Sequence, residues 1–141
     1  MTKKKPFIKF EKKEQQIKDA MDLHTSLERL KELYREGRWE IDWALARNPN
    51  TPHSLLESYY QRHDIFLLKR LAQNIAAPEA LLMKLSKEYQ FEIQEALIDN
   101  INTPVQALLN IVKSGDKYLK DRAQKAVTKK LNALQKLWLE K

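Results

Sequence analysis

The chain has 141 residues, no cysteine, two glycines, five prolines and a net charge of +7. That length suits one domain whose core needs no covalent staples, and the missing cysteine excludes disulfides, thiolate metal sites, iron–sulfur clusters and a cysteine nucleophile. No apolar run approaches the roughly 18–20 residues of a membrane span, and the basic start MTKKKPFIKF lacks a signal peptide's apolar segment, so a cytoplasmic protein without membrane contact is expected.

The abundant Leu, Ala, Lys, Glu and Gln lose least on entering a helix, which predicts an all-α fold. In chain order, residues 1–9 are expected to be a disordered basic N-terminus. Residues 11–21 read as a worn first helix or an N-terminal cap, since Gln15 and Asp19 stand where later units carry Ile41 and Leu45. Helices are predicted near 26–36, 39–47, 52–62, 65–73, 78–88, 91–99 and 104–113. From Asp116 to Lys141 no breaker occurs. Val127, Leu131, Leu134 and Trp138 form a helical stripe there, which predicts one long helix capping the end of the stack.

The breaks between helices recur every 26 residues: NPNTP at 48–52, NIAAP at 74–78 and NINTP at 100–104, with an imperfect copy, DLHTS, at 22–26. The apolar positions keep step. Leu30, Leu56, Leu82 and Leu108 share a column, as do Leu33, Tyr59, Leu85 and Ile111, then Ile41, Leu67, Ile93 and Leu119, then Leu45, Leu71 and Leu97. Trp39, Ile65 and Phe91 form a fifth column, expected in the core. Such self-similarity means stacked units, none of which buries its apolar face alone. About four units are expected, near 10–36, 37–62, 63–88 and 89–113.

Each break is readable as punctuation. Asn48, Asn74 and Asn100 suit a left-handed helix stop, Thr51 and Thr103 suit N-caps, and Pro52, Pro78 and Pro104 suit the first helical position, where a missing N–H costs nothing. Pro49 drives Asn48 out of the right-handed helical region. Gly37 and Gly115 share a column and suit the residue just beyond a helix C-terminus, and His63 suits the C-terminal end of its helix, where positive charge favours the dipole.

The segments ALARNPNTPHSLLESY, RLAQNIAAPEALLMKL and EALIDNINTPVQALLN resemble the variant leucine-rich repeats of bacteria. The likeness covers roughly residues 22–125 and is carried by the Asn-x-x-Thr/Ala-Pro hinge with the Leu-Leu pair after it. It implies a right-handed α-solenoid, a HEAT- or armadillo-like superhelix, serving as a scaffold or interaction surface. The period of 26 is a little longer than that family's usual unit, and the cysteines of the iron–sulfur segment that can precede such repeats are missing. No catalytic residue carries over.

Chemistry-bearing patterns are sparse. His53 and His63 stand at opposite ends of one helix, so no metal or other cofactor is expected. Glu92, Glu95 and Asp99 share a helix face, but their columns are solvent-tolerant, which favours a solvated face over an acidic docking patch or an acid–base pair. No Gly-rich phosphate loop and no nucleophile–base spacing occurs, so no enzyme is expected. Aromatic residues at polar positions stand out. Trp43 shares its column with Lys69, Glu95 and Asp121, while Phe66 and Tyr118 share theirs with Glu40 and Glu92. They either pack on one another or contact a partner.

The expected function is therefore non-catalytic protein–protein interaction through Glu40, Trp43, Arg47, Phe66, Lys69 and Tyr118. The alternative rests on charge. Residues 1–13 carry six lysines against Glu11, residues 113–141 nine Lys/Arg against three carboxylates, and the body from 14 to 112 carries 11 basic and 15 acidic residues. Nucleic acid would then be held by its phosphates through Lys3, Lys4, Lys5, Lys9, Lys12 and Lys13 at one end and Arg122, Lys125, Lys129 and Lys136 at the other.

Overall fold

The computed structural model describes residues 5–140, with side chains from residue 13 onward. Among the described residues all regular structure is helical: α1 (Lys5–Met21), α2 (Leu27–Glu36), α3 (Trp39–Arg47), α4 (His53–Gln61), α5 (Ile65–Ala72), α6 (Glu79–Leu85), α7 (Phe91–Asp99), α8 (Val105–Ser114) and α9 (Lys117–Leu139). Of the segment expected to be disordered, residues 1–4 lie outside the described residues, and from Lys5 the chain is helical. Contacts divide the chain into two compact units, α1–α5 ending at Asn74 and α6–α9 beginning at Ile75.

In the first unit α3 packs between α1 and α5, with α2 against α1 and α3, and α4 against α3 and α5. Leu30, Leu33, Ile41, Leu45, Leu56, Tyr59, Leu67 and Leu71 are buried there. In the second unit α8 lies along α9, and α7 touches α6, α8 and α9 around Leu82, Leu85, Ile93, Leu97, Leu108, Ile111 and Leu119. Four of the five columns are thus core. Each such Leu side chain removed from water contributes about 2 kcal/mol.

The fifth column is not core. Trp39, Ile65 and Phe91 are 61, 45 and 40% exposed. Each is the first residue of its helix, two residues before the buried Ile41, Leu67 or Ile93, which turns it roughly 200° away from the core side.

The hinges break where expected, but by different chemistry. Asn48 and Asn100 are extended (ψ 121° and 114°), not left-handed. They are chosen for their amides. Asn48 Nδ2 donates to the carbonyls of Ala20 and Asp22, at 2.9 and 3.1 Å, and Asn74 Nδ2 donates to those of Ala46 and Asn48, at 3.0 and 3.1 Å. Each asparagine thereby closes the last carbonyls of the hinge one repeat earlier, and a buried carbonyl left open costs about 1–3 kcal/mol.

Thr51 and Thr103 do not cap the following helices either. Their hydroxyls donate backwards to Leu45 O and Leu97 O, each at 2.6 Å, and Thr25 does the same to Asp19 O at 2.5 Å. The N-cap position falls to Pro52, Pro78 and Pro104, all with ψ near 145° and so one residue outside the helix. Proline costs nothing there for the reason expected: its absent N–H has no helical partner to lose.

The repeat returns also divide. Gly37 is left-handed at φ +65°, as expected of a residue past a helix end. His63, one repeat later, takes the same region at φ +52° despite its Cβ. Gly115 does not: at φ −72° and ψ 164° it is extended. Glycine stands there because a Cβ would lie 2.8 Å from the Ile111 carbonyl oxygen and 3.2 Å from Leu119 Cβ.

The long last helix forms, yet it does not cover an apolar end along its whole length. Leu119, Ala123 and Val127 are buried, while Leu131, Leu134 and Trp138 are 50, 59 and 77% exposed. The reason is length: α9 has 23 residues and α8, its main partner, has 10, so the later turns run past their support.

Candidate interaction surface

The outward sides of α3 and α5 carry an aromatic ladder. Trp39 and Trp43, one turn apart, meet edge to face at 5.0 Å between centroids, and Trp43 meets Phe66 of α5 at 5.4 Å. Phe66 is 61% exposed, like Trp39, and Trp43 is half-buried between them. The Arg70 guanidinium lies over the Trp43 ring, 5.5 Å from its centroid. Mutual packing and exposure therefore coexist. The rings hold each other in place, and the two outer ones remain open to a partner.

Around the ladder sit the predicted polar residues. Glu40 accepts from Lys13 at 2.8 Å, and that contact first, then the backbone N–H at the start of α3, lowers its carboxyl pKa from the ordinary value. Arg47 is exposed one turn beyond Trp43, and Lys69 is partly exposed beside Arg70. Among the described residues neither Arg47, Lys69 nor Arg70 has a carboxylate within ion-pair distance. The structure brings Glu40, Trp43, Arg47, Phe66 and Lys69 onto one face of the first unit.

Tyr118 belongs to the second unit and to a different arrangement. It stacks on Phe91 at 6.1 Å with 15° between ring planes, and Arg122 lies 5.5 Å over it. The same guanidinium is held by Glu95 at 3.2 Å and Asp99 at 2.5 Å. Two of the three acidic residues read as a possible patch are thus consumed by an arginine of their own unit.

The rest of the basic set scatters. Lys3 and Lys4 lie outside the described residues, and Lys5, Lys9 and Lys12 are on α1 with side chains that are not described. Lys13 is engaged by Glu40 and Arg122 by its two carboxylates. Lys125, Lys129 and Lys136 are exposed, and their spacing places them on one side of α9.

No family model, curated protein sequence or solved structure matches this chain. The surface has to be understood from its own chemistry.

Two features escaped the sequence. Asp42 is 3% exposed, and it accepts from the Tyr59 hydroxyl at 2.8 Å and from Arg62 Nη1 at 2.8 Å. Arg62 lies over the rings of Tyr59 and Tyr34, and the Tyr34 hydroxyl donates to Ser58 at 2.8 Å. Burial first, and the Asp42 charge second, push the Tyr59 pKa far above its ordinary value, so the hydroxyl stays a donor. The enclosed carboxylate joins α3 to Tyr59 of α4 and to Arg62 just beyond it. The signal was present in the repeat: the column Gln16, Asp42, Leu68 and Gln94 is buried throughout, and a charge at a core position that tolerates Leu needs a partner. Arg70 was the second omission. Its column reads Ala44, Arg70, Ala96, Arg122, an alternation that marks the two arginines as equivalent.

Proposed function

We propose that this chain is a non-catalytic, cytoplasmic protein-interaction module of the variant leucine-rich repeat kind. Its four 26-residue units, closed by the long helix α9, would form a right-handed, HEAT-like solenoid whose outer helices present side chains to partners. The observation that carries the reading is the ladder Trp39–Trp43–Phe66, three rings in contact, with the outer two each 61% exposed. Large rings left open on a face that offers them no cover of its own are what interface anchors look like. The columns and hinges supply a rigid base, which lowers the ordering cost of binding.

The test is selection. A random twelve-residue peptide library is panned against the immobilised full chain, and the recovered peptides are measured against wild type and a Trp39→Ala/Phe66→Ala variant of unchanged helicity. Recovered peptides should lose on the order of tenfold or more in affinity, the effect of removing two anchors. Equal binding to both proteins, or no peptide recovered above background, would sink the reading.

A second reading, phosphate-mediated nucleic-acid binding, is favoured by Lys125, Lys129 and Lys136 on one exposed side of α9. Its signature is affinity for duplex DNA that falls steeply as salt rises from about 50 to about 200 mM. A salt-independent or undetectable interaction would remove it.

A further inference from the structure

We infer that the α3–α5 face takes an acidic peptide segment, one that sets a pair of carboxylates against Arg47, Lys69 and Arg70 and an apolar side chain against Trp39 and Phe66. This rests on the docking role proposed above and names the chemistry of the partner. The argument comes from the molecule's own second copy of the site. A shift of 52 residues, two repeats, carries Trp39, Trp43, Phe66 and Arg70 onto Phe91, Glu95, Tyr118 and Arg122. Both arginines lie 5.5 Å from the centroid of an aromatic ring, but of different rings: Arg122 over Tyr118 of its own helix, Arg70 over Trp43 of the neighbouring one.

What differs is the supply of carboxylates. Arg122 is satisfied by Glu95 and Asp99, one helical turn apart on α7. The positions that match them on α3 are Trp43 and Arg47. One acid has become the ring beneath the arginine, and the other has become a further cation. Arg70 therefore rests on the ring that replaces one acid, and among the described residues neither it, nor Arg47 one turn beyond that ring, nor its sequence neighbour Lys69 has a carboxylate within ion-pair distance. A guanidinium pinned by a ring has little freedom left to lose on meeting a carboxylate pair.

The surroundings sharpen the match. Residues 14–74 carry nine Lys/Arg and ten Asp/Glu, so the unit as a whole is nearly neutral, yet three of the nine cations stand on the two ladder helices with no carboxylate of the described residues within ion-pair distance. A local positive patch on a neutral body selects for opposite charge at short range and is screened only partly where rings exclude water. A stacked nucleobase is the rival occupant, and it would have to use the outer rings, because the central one is half-buried between them.

The experiment uses the full chain and four fluorescein-labelled probes, read by anisotropy. They are a twelve-residue peptide with five glutamates around one phenylalanine and one leucine, its glutamine counterpart, its lysine counterpart, and a twelve-nucleotide oligothymidine. The acidic peptide should bind on the order of tenfold tighter than the glutamine peptide at about 50 mM salt, with the gap narrowing at higher salt. The lysine peptide should not bind. An Arg47→Glu/Lys69→Glu/Arg70→Glu variant should lose the acidic peptide and gain the lysine one, and Arg47→Gln/Lys69→Gln, two surface changes, should show part of the loss if the triple variant misfolds. Equal affinity for the acidic and glutamine peptides, both lost in Trp39→Ala/Phe66→Ala, would overturn this inference and leave the docking face standing. Tighter binding of the oligothymidine would overturn it in favour of phosphate. No binding of any probe would overturn it as well, and the peptide selection above would then decide whether the docking face itself survives.

Discussion

The α3–α5 pair and the α7–α9 pair carry the same buried columns two repeats apart, and they fill their outward positions in opposite ways. In the second pair the outward arginine, Arg122, is closed by Glu95 and Asp99 of its own unit. In the first, Trp43 and Arg47 occupy those places, and Arg70 lies over Trp43 itself, the ring that stands where Glu95 does. The columns that bury leucine agree in both pairs, because a core position that loses a few methylenes costs several kcal/mol. The outward positions bear no such cost. They diverge freely, and divergence there converts a self-satisfied face into an open one.

The comparison extends inward, where it can be broken by measurement. Asp42 and Gln94 occupy the same register, both buried, one as a charge bonded to Tyr59 and Arg62, the other as an amide donating to Glu88 O at 3.0 Å. Asp42→Ala strands the buried Tyr59 hydroxyl and removes the ion partner of Arg62, whose side chain is 43% exposed, and should cost about 2–3 kcal/mol in the urea unfolding of the first unit. Gln94→Ala should cost about 1–2 kcal/mol in the second, since its partners are neutral. Equal costs would mean that the charge adds nothing over an amide at this register.

His63 and Gly115 are matched in the same way, and their backbones differ. Gly115→Ala must push a Cβ against the Ile111 carbonyl, 2.8 Å away, and should destabilise the second unit by about 2 kcal/mol. His63→Gly should stabilise the first unit by about 1 kcal/mol, because a left-handed residue with a Cβ carries that much strain. A loss of stability at His63→Gly would show that the Tyr60–His63 ring contact, at 5.6 Å, outweighs the strain.

The smallest effect is expected where the two units agree. Thr51 and Thr103 make the same backward bond at the same 2.6 Å, so Thr→Val should cost about 1 kcal/mol at each, equal to within a few tenths. Hydrogen-exchange protection of the carbonyl-side turns, at Leu45 and Leu97, provides the readout. A difference between the two would show that the hinges are not equivalent in energy although they are in geometry.

The sequence by itself determined the helical class, the period of 26, the four buried columns and the sites of the breaks, because each depends on local rules: apolar spacing, proline's fixed dihedral and the repetition of both. It also singled out Trp43 and Phe66, since a ring in a column of charges is visible without coordinates. Only tertiary structure decided the rest. That Asn48 works through its amide depends on carbonyls 26 and 28 residues back, which no cap preference encodes. That Trp39 faces outward depends on its place at the very start of α3, and that Leu131, Leu134 and Trp138 stand uncovered depends on where α8 ends. That Arg70 is free while Arg122 is bound depends on which side chains reach across from a neighbouring helix. Local propensity acts over a few residues, whereas the pairing of a buried or outward group is settled by neighbours a full repeat away, and that separation is where a sequence pattern stops carrying the answer.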